Sequence, residues 1–175
     1  MRTNNLLKSI AGLSLAFIVS TISLYSQETI QLNGNVDLTS TSGITIISQG
    51  TNKIVSYNDS FKVQSNYAFK KSKDGKFAFN VSYTIENAGV QAPNKAFTSR
   101  LILDNDNIVS EVYGIELSSS EKKVFTSQVY LPIGIHTLTL AIDQDKEVNE
   151  LDITNNLKTV TIEVLPGTTP ISSWK

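Results

Sequence analysis

Five acidic residues lie close together in one short stretch of the chain, and such a cluster could bind a metal ion. They fall between positions 143 and 152: Asp143, Asp145, Glu147, Glu150 and Asp152. Hard cations such as calcium take six to eight oxygen ligands, which carboxylates, side-chain amides and backbone carbonyls supply. The stretch therefore predicts a candidate calcium site with the ligands Asp143, Asp145, Glu150 and Asp152.

An alternative interpretation of this stretch needs no metal, and it is the one we prefer. The spacing does not fit an EF-hand loop, because Val148 occupies the glycine position and Thr154 the position of the bidentate glutamate. A solvated hairpin, in which Asn155 and Asn156 bond local backbone groups, accounts for the same residues. A glycosidase pair fits less well, because a hairpin tip has no walls to bind a sugar or to raise the pKa of an acid.

Other catalytic chemistry has few residues to use. The chain has no cysteine and one histidine, His136, so cysteine and histidine metal sites and Cys-His pairs are excluded. No nucleophile elbow, phosphate-binding glycine loop or dinucleotide fingerprint occurs. His136 lies on the inward face of a predicted strand, which indicates a packed, hydrogen-bonded structural role. We therefore predict that the protein is not an enzyme, with no catalytic residues and no cofactor other than the candidate calcium.

The start of the chain has the features of an export signal. Arg2 and Lys8 precede an apolar run over residues 10–24, and Ser26 marks a cleavage point, so residues 1–26 are predicted to be a signal peptide. Without a cysteine the chain cannot carry a bacterial lipid anchor. Cleavage leaves 13 basic and 16 acidic residues, a net charge of −3, which argues against nucleic acid as a partner. The mature chain is expected to be secreted or periplasmic, with no insertion into a membrane.

Apolar residues alternate with polar ones at intervals of about ten residues, which is typical of an all-β sandwich or barrel. Seven strands are predicted, separated by turn residues, over residues 61–69, 76–86, 97–104, 108–117, 122–131, 135–143 and 158–165. That number favours an immunoglobulin-like antiparallel β-sandwich over residues 59–166. Residues 27–58 are either β-rich, with hairpins at Asn33-Gly34-Asn35 and at Gln49-Gly50, or a flexible leader. Residues 167–175 are predicted to be a short tail.

The closing half of the predicted domain carries a family pattern at residues 134–140, Ile142-Asp143, Val148, Glu150 and Thr154-Asn155-Asn156, with weaker likeness at 81–89 and 101–104. In these residues the chain resembles CARDB, the cell-adhesion-related domain found in bacteria. The chain departs from the family pattern at Leu151 and Ile153, where polar residues are usual, and at Asp152, which replaces an asparagine. The resemblance implies an immunoglobulin-like sandwich and a role in adhesion or ligand binding at the cell surface.

These observations together predict a secreted, non-catalytic binding or adhesion module whose partner is a protein or glycan at the cell surface. Loops on a rigid scaffold usually carry binding, and residues 87–95 and 143–156 are predicted to lie at one end of the sandwich as the contact surface. The alternative is a periplasmic structural or assembly protein in which an open sheet edge pairs with a partner strand. A long, uncharged edge favours this alternative, and a short or lysine-bearing edge disfavours it.

Overall fold

A computed structural model describes residues 36–167 and shows two β-sheets packed face to face. The predicted signal peptide, the predicted hairpin at Asn33-Gly34-Asn35 and residues 168–175 lie outside the described residues. The strands are β1 (Leu38–Thr39), β2 (Ile44–Ser48), β3 (Thr51–Val55), β4 (Ser60–Gln64), β5 (Lys70–Lys71), β6 (Phe77–Asn87), β7 (Phe97–Leu103), β8 (Asn107–Ile115), β9 (Lys122–Leu131), β10 (Gly134–Ile142) and β11 (Leu157–Leu165).

The first sheet is built around β6. One side of this strand pairs antiparallel with β9 over ten residue pairs, from Phe77↔Leu131 to Glu86↔Lys122. Its other side pairs in turn with β1, β2 and β5, and β3 extends the sheet beyond β2. The predicted hairpin across Gln49-Gly50 is confirmed, because Ser48 pairs with Thr51 and Ile44 with Val55. Residues 36–58 thus supply three strands of the sandwich.

The second sheet has the order β4, β11, β10, β7, β8. Its pairs are antiparallel except β4 with β11, which run parallel from Thr161↔Ser60 to Leu165↔Gln64. The prediction of a purely antiparallel sandwich was wrong at this pair. Alternation of apolar residues reports which face of a strand is buried and carries no information on the direction of its neighbour.

The predicted strand over residues 61–69 is interrupted. A single 3₁₀ turn, Ser65–Tyr67, separates β4 from β5, and Tyr67 is exposed rather than inward. The break has a topological cause, because β4 belongs to the second sheet and β5 to the first. One continuous strand cannot pair in both sheets, so the chain crosses the sandwich at this turn.

The core lies between the two sheets and consists of the alternating inward residues of both. The fully buried large side chains include Phe79, Tyr83, Ile85, Phe97, Leu101, Leu138 and Leu140. The Tyr83 ring stacks on Phe125 with ring centroids 5.7 Å apart, and its hydroxyl lies 3.4 Å from the hydroxyl of Ser99 on the opposite sheet. With no cysteine in the chain, this packing replaces the disulfide that many such sandwiches use.

Candidate functional site

The loop over residues 143–156 joins β10 to β11 and contains all four predicted calcium ligands. Asp143 begins the loop and its carboxylate is turned back into it. Its two oxygens accept hydrogen bonds from the backbone N–H groups of Glu147 and Val148, each at 2.9 Å. Val148 is buried as part of the core, so this turn fixes the start of the loop to the sandwich. Burial raises the pKa of Asp143 above its ordinary value.

Asp145 is directed away from Asp143 and onto the outer face of the second sheet. Its two oxygens accept hydrogen bonds from the guanidinium of Arg100 at 2.9 and 2.6 Å. This bidentate geometry makes a strong, charge-assisted pair. The hydrogen bonds from Arg100 hold the pKa of Asp145 below its ordinary value. Arg100 also bonds Glu111 on β8 at 2.6 Å, so one β7 side chain connects the loop to the sheet edge.

Glu150 turns inward and ties the loop to the first strand of the domain. One carboxylate oxygen accepts the N–H of Leu38 on β1, and the other accepts the side-chain amide of Asn156, both at 2.7 Å. The backbone supports the same junction, because the Leu151 N–H donates to the Val36 carbonyl at 2.9 Å. Burial raises the pKa of Glu150 to about 7, with a further contribution from the charges of Asp143 and Asp37.

Asp152 sits at the exposed tip of the loop. It accepts hydrogen bonds from the backbone N–H of Thr154 at 2.8 Å and from its hydroxyl at 2.5 Å. These bonds lower the pKa of Asp152 and close a local turn of the kind that aspartate commonly makes.

In the structure, the four predicted calcium ligands therefore form hydrogen bonds with different partners. Of these four, only Asp143 and Glu150 line a common cavity, of about 160 Å³, and Gln144, Lys146 and Asn156 are the other polar residues of its wall. Within residues 36–167, no three acidic, histidine or cysteine side chains are placed together to hold a metal. Binding of calcium stays a prediction, with a smaller set of candidate ligands.

The two asparagines that end the loop differ from their predicted role. Asn155 donates its amide to the distant Asp37 side chain at 2.8 Å, and Asn156 donates to Glu150 of the same loop, so both bond side chains instead of the local backbone. The amide oxygens of both are buried and have no hydrogen-bond partner among residues 36–167. Asp37 is the member of this site that the sequence did not identify, because no local pattern relates residue 37 to residue 155.

A groove of about 500 Å³ lies between this loop and the loop that follows β6. Asn94 and Lys95 form one wall, and the acidic loop forms the other, so the two predicted contact loops do meet at one end of the sandwich. Leu151 and Ile153 border the groove with 62% and 52% of their surface exposed. These are the apolar residues that replace polar ones in the resemblance.

His136 lies at the opposite end of the sandwich, at the start of β10. Its side chain is buried, with Nδ1 2.8 Å from the Asp104 carboxylate and Nε2 3.1 Å from the Pro132 carbonyl oxygen. The ring connects the two turns on either side of it, which agrees with the predicted structural role.

Two sheets, a buried core of alternating residues and loops gathered at one end define this protein as an immunoglobulin-like β-sandwich module. The CARDB family model matches residues 61–160, which is more than half of the chain. The chain belongs to the CARDB family.

Comparison with solved structures finds domains to which the chain is similar. The chain is similar to the CARDB domain of a Pyrococcus furiosus protein, described as in complex with di-metal ions, with 18% identity and a TM-score of 0.52 over 74% of this chain and 89% of that one. A domain of a putative cell surface protein from Methanosarcina acetivorans is 24% identical over 49% of this chain and 75% of that one, with a TM-score of 0.41. No curated protein matches the chain. Among residues 36–167, no helix has the length and apolar character needed to cross a bilayer.

Proposed function

We propose that this protein is a secreted, non-catalytic binding module that contacts a partner at the cell surface through the groove between residues 88–96 and 143–156. The single observation that carries the proposal is the groove itself. It places exposed Leu151 and Ile153 beside Lys95, Lys146 and Glu147. Mixed apolar and charged walls of this kind suit a protein segment that supplies one apolar side chain and a polar rim.

The anchoring of the acidic loop supports this function. Asp143 caps its first turn, Arg100 holds Asp145, and Glu150 fixes it to β1. A loop held at three points loses little conformational freedom when it binds, so more of the contact energy remains as affinity. The proposed role in binding is consistent with membership of a family of cell-surface domains.

The test compares two isoleucines that are both exposed but lie at opposite ends of the sandwich. Ile153→Glu places a charge in the groove, and Ile135→Glu places the same charge at the far end, where Ile135 is 70% exposed. The exported protein is immobilised and probed with a glycan array and with the extracellular proteins of its source organism. We expect Ile153→Glu to weaken binding at least about tenfold, as loss of a buried contact does, and Ile135→Glu to leave it unchanged. Equal binding by both variants, or no ligand in either screen, would contradict the proposal.

A second candidate function is cation binding in the small cavity behind the groove. The observation that favours it is the buried Asn156 amide oxygen, which has no hydrogen-bond partner in the described part of the chain and belongs to a residue that lines the same cavity as Asp143 and Glu150. Oxygen donors of this type suit a hard cation, with water completing the shell. The related Pyrococcus furiosus domain is described as in complex with di-metal ions.

Calcium that binds only the folded state raises the melting temperature in a concentration-dependent way. We expect millimolar calcium to raise it in the natural protein and Glu150→Gln to abolish the rise. Asp152→Asn is the matched control, because Asp152 faces solvent and bonds only Thr154. If neither calcium nor a chelator changes the melting temperature, the loop is a hydrogen-bonded hairpin that binds no metal.

A further inference from the structure

One sheet edge of this sandwich has its backbone groups open and almost no charge to protect it. β9 pairs with β6 along its whole length, and within residues 36–167 no strand pairs with its other side. Every second residue of such an edge presents its N–H and C=O to solvent. From Val124 to Leu131 the strand contains no charged residue.

The other sheet edges are protected. β3 and β4 have five residues each, and each carries a lysine, Lys53 or Lys62. β8 carries Glu111, and its register with β7 is shifted at two places, which bends an edge away from a partner. β9 has ten residues in unbroken register with β6. Short strands, lysines and bulges are the devices that keep sheet edges from pairing, and β9 lacks them beyond its first two residues.

We propose that β9 pairs antiparallel with β9 of a second copy of this chain, about a two-fold axis at Ser127, so that the two first sheets become one. The faces of the strand restrict the register. Residues opposite each other in an antiparallel pair share a face, so inward residues must meet inward residues. Centring the axis on Ser127 satisfies this condition and sets Phe125 opposite Val129, Thr126 opposite Gln128, and Val124 opposite Tyr130.

In this register, apolar residues lie opposite apolar or aromatic residues, and polar residues lie opposite polar ones. Val124 has 69% of its surface exposed, and the register covers it with the ring of Tyr130 from the other copy. Thr126 and Gln128 already take part in hydrogen bonds across the outer face, with Ser82 and Asn80, and they would form a continuous polar row. Cross-strand pairs of these kinds stabilise antiparallel sheets.

The placement of charge favours a second copy over an unrelated strand. Lys122 and Lys123 stand at the start of β9, where Lys122 pairs with Glu86 and Lys123 lies 3.5 Å from Glu121. In the antiparallel register the lysines of one copy face the uncharged end of the other, at Leu131 and Pro132. The four lysines therefore occupy the two far ends of the interface, and no like charges stand opposite each other. An interface that is complementary to itself is what a two-fold dimer requires.

The first experiment measures mass against concentration by sedimentation equilibrium, using protein recovered from the exported fraction of an expressing bacterium. We expect the natural chain to shift from one to two copies in the micromolar range, because a single strand pair is a small interface. Thr126→Lys should weaken dimerisation at least about tenfold, since it sets two lysines diagonally across the axis. Thr45→Lys is the matched control, on the same sheet but on β2, which is flanked by β3 and β6, and it should dimerise normally.

The second experiment uses the absence of cysteine from the natural chain. In Ser127→Cys the two new thiols lie directly opposite each other, within reach of a disulfide, and mild oxidation should cross-link the dimer. In Tyr130→Cys the thiols are far apart along the strands, and cross-linking should be slow. A natural chain that stays monomeric at every concentration overturns the proposal, even if it binds an unrelated extended peptide. Equal cross-linking of the two variants, or a dimer that Thr126→Lys does not weaken, also overturns it. The groove variant Ile153→Glu should not alter the mass, so this proposal and the proposed function fail separately.

Discussion

Glu150 is a half-buried carboxylate whose protonation should be visible in the stability of the whole domain. Its pKa is raised from 4.5 to about 7 by burial. Between these two values the folded state binds more protons than the unfolded state, so stability contributed by this group is present below pH 4.5 and is lost as the pH rises through 7. The replacement Glu150→Gln keeps the shape of the side chain and removes both the charge and the titration.

The geometry explains how a neutral side chain can be accommodated. A glutamine oxygen can accept the Leu38 N–H as the carboxylate does. Its amide can then donate to the Asn156 amide oxygen, which is without a partner, once the Asn156 amide rotates by half a turn. The variant therefore imitates the protonated form of Glu150 and should retain both connections of the loop.

The expected magnitude follows from the pKa. A rise from 4.5 to about 7 corresponds to at most about 3 kcal/mol, and partial exposure to solvent reduces this to about 1–2 kcal/mol. Urea denaturation of both proteins at pH 5 and pH 8, with a chelator present, measures the difference. We expect Glu150→Gln to be close to the natural protein at pH 5 and more stable by about 1–2 kcal/mol at pH 8. A difference in stability that is the same at both pH values would refute the reasoning.

Three further predictions concern the core, a turn and the acidic loop. Leu140→Ala should cost about 2–5 kcal/mol in denaturant titration because Leu140 is fully buried, whereas Asn80→Ala on the outer face should cost under about 0.5 kcal/mol; equal costs would mean that the facing assignment is wrong. Gly43→Ala should lower the melting temperature far more than Gly50→Ala. Both glycines have positive φ, but a Cβ at Gly43 would lie 2.4 Å from the Val55 carbonyl oxygen and one at Gly50 meets nothing within 4 Å. Arg100→Gln should speed amide exchange at residues 144–147 with little change at β10, because it removes the bidentate hold on Asp145; unchanged exchange would show that the Asp143 turn alone orders the loop.

The strands were predictable to the extent that alternation of apolar residues determines them. The limits of β9 were predicted without error, and those of β6, β10 and β11 to within one residue, because each of these strands buries one face. Prediction failed where the chain changes sheets at Ser65–Tyr67 and where β4 pairs parallel to β11, since both depend on neighbours distant in sequence.

The candidate site shows the same limit more clearly. Its carboxylates were visible as one acidic stretch, yet the partners that determine their chemistry come from elsewhere in the chain. Glu150 bonds the N–H of residue 38, and Asp145 bonds Arg100. Burial raises the pKa of Glu150 despite its hydrogen bonds, and the hydrogen bonds from Arg100 lower the pKa of Asp145. No spacing rule within residues 143–156 distinguishes the two.

The two ends of the described chain leave the sandwich at opposite ends. Val36 enters beside the acidic loop, where its carbonyl accepts the Leu151 N–H, and Gly167 leaves beside Ser65, where its N–H donates to the Ser65 hydroxyl. A pull on these two points runs along the strands and loads the β11 hydrogen bonds with β10 and β4 together, in shear. Resistance to tension is then governed by the rate of unfolding under load.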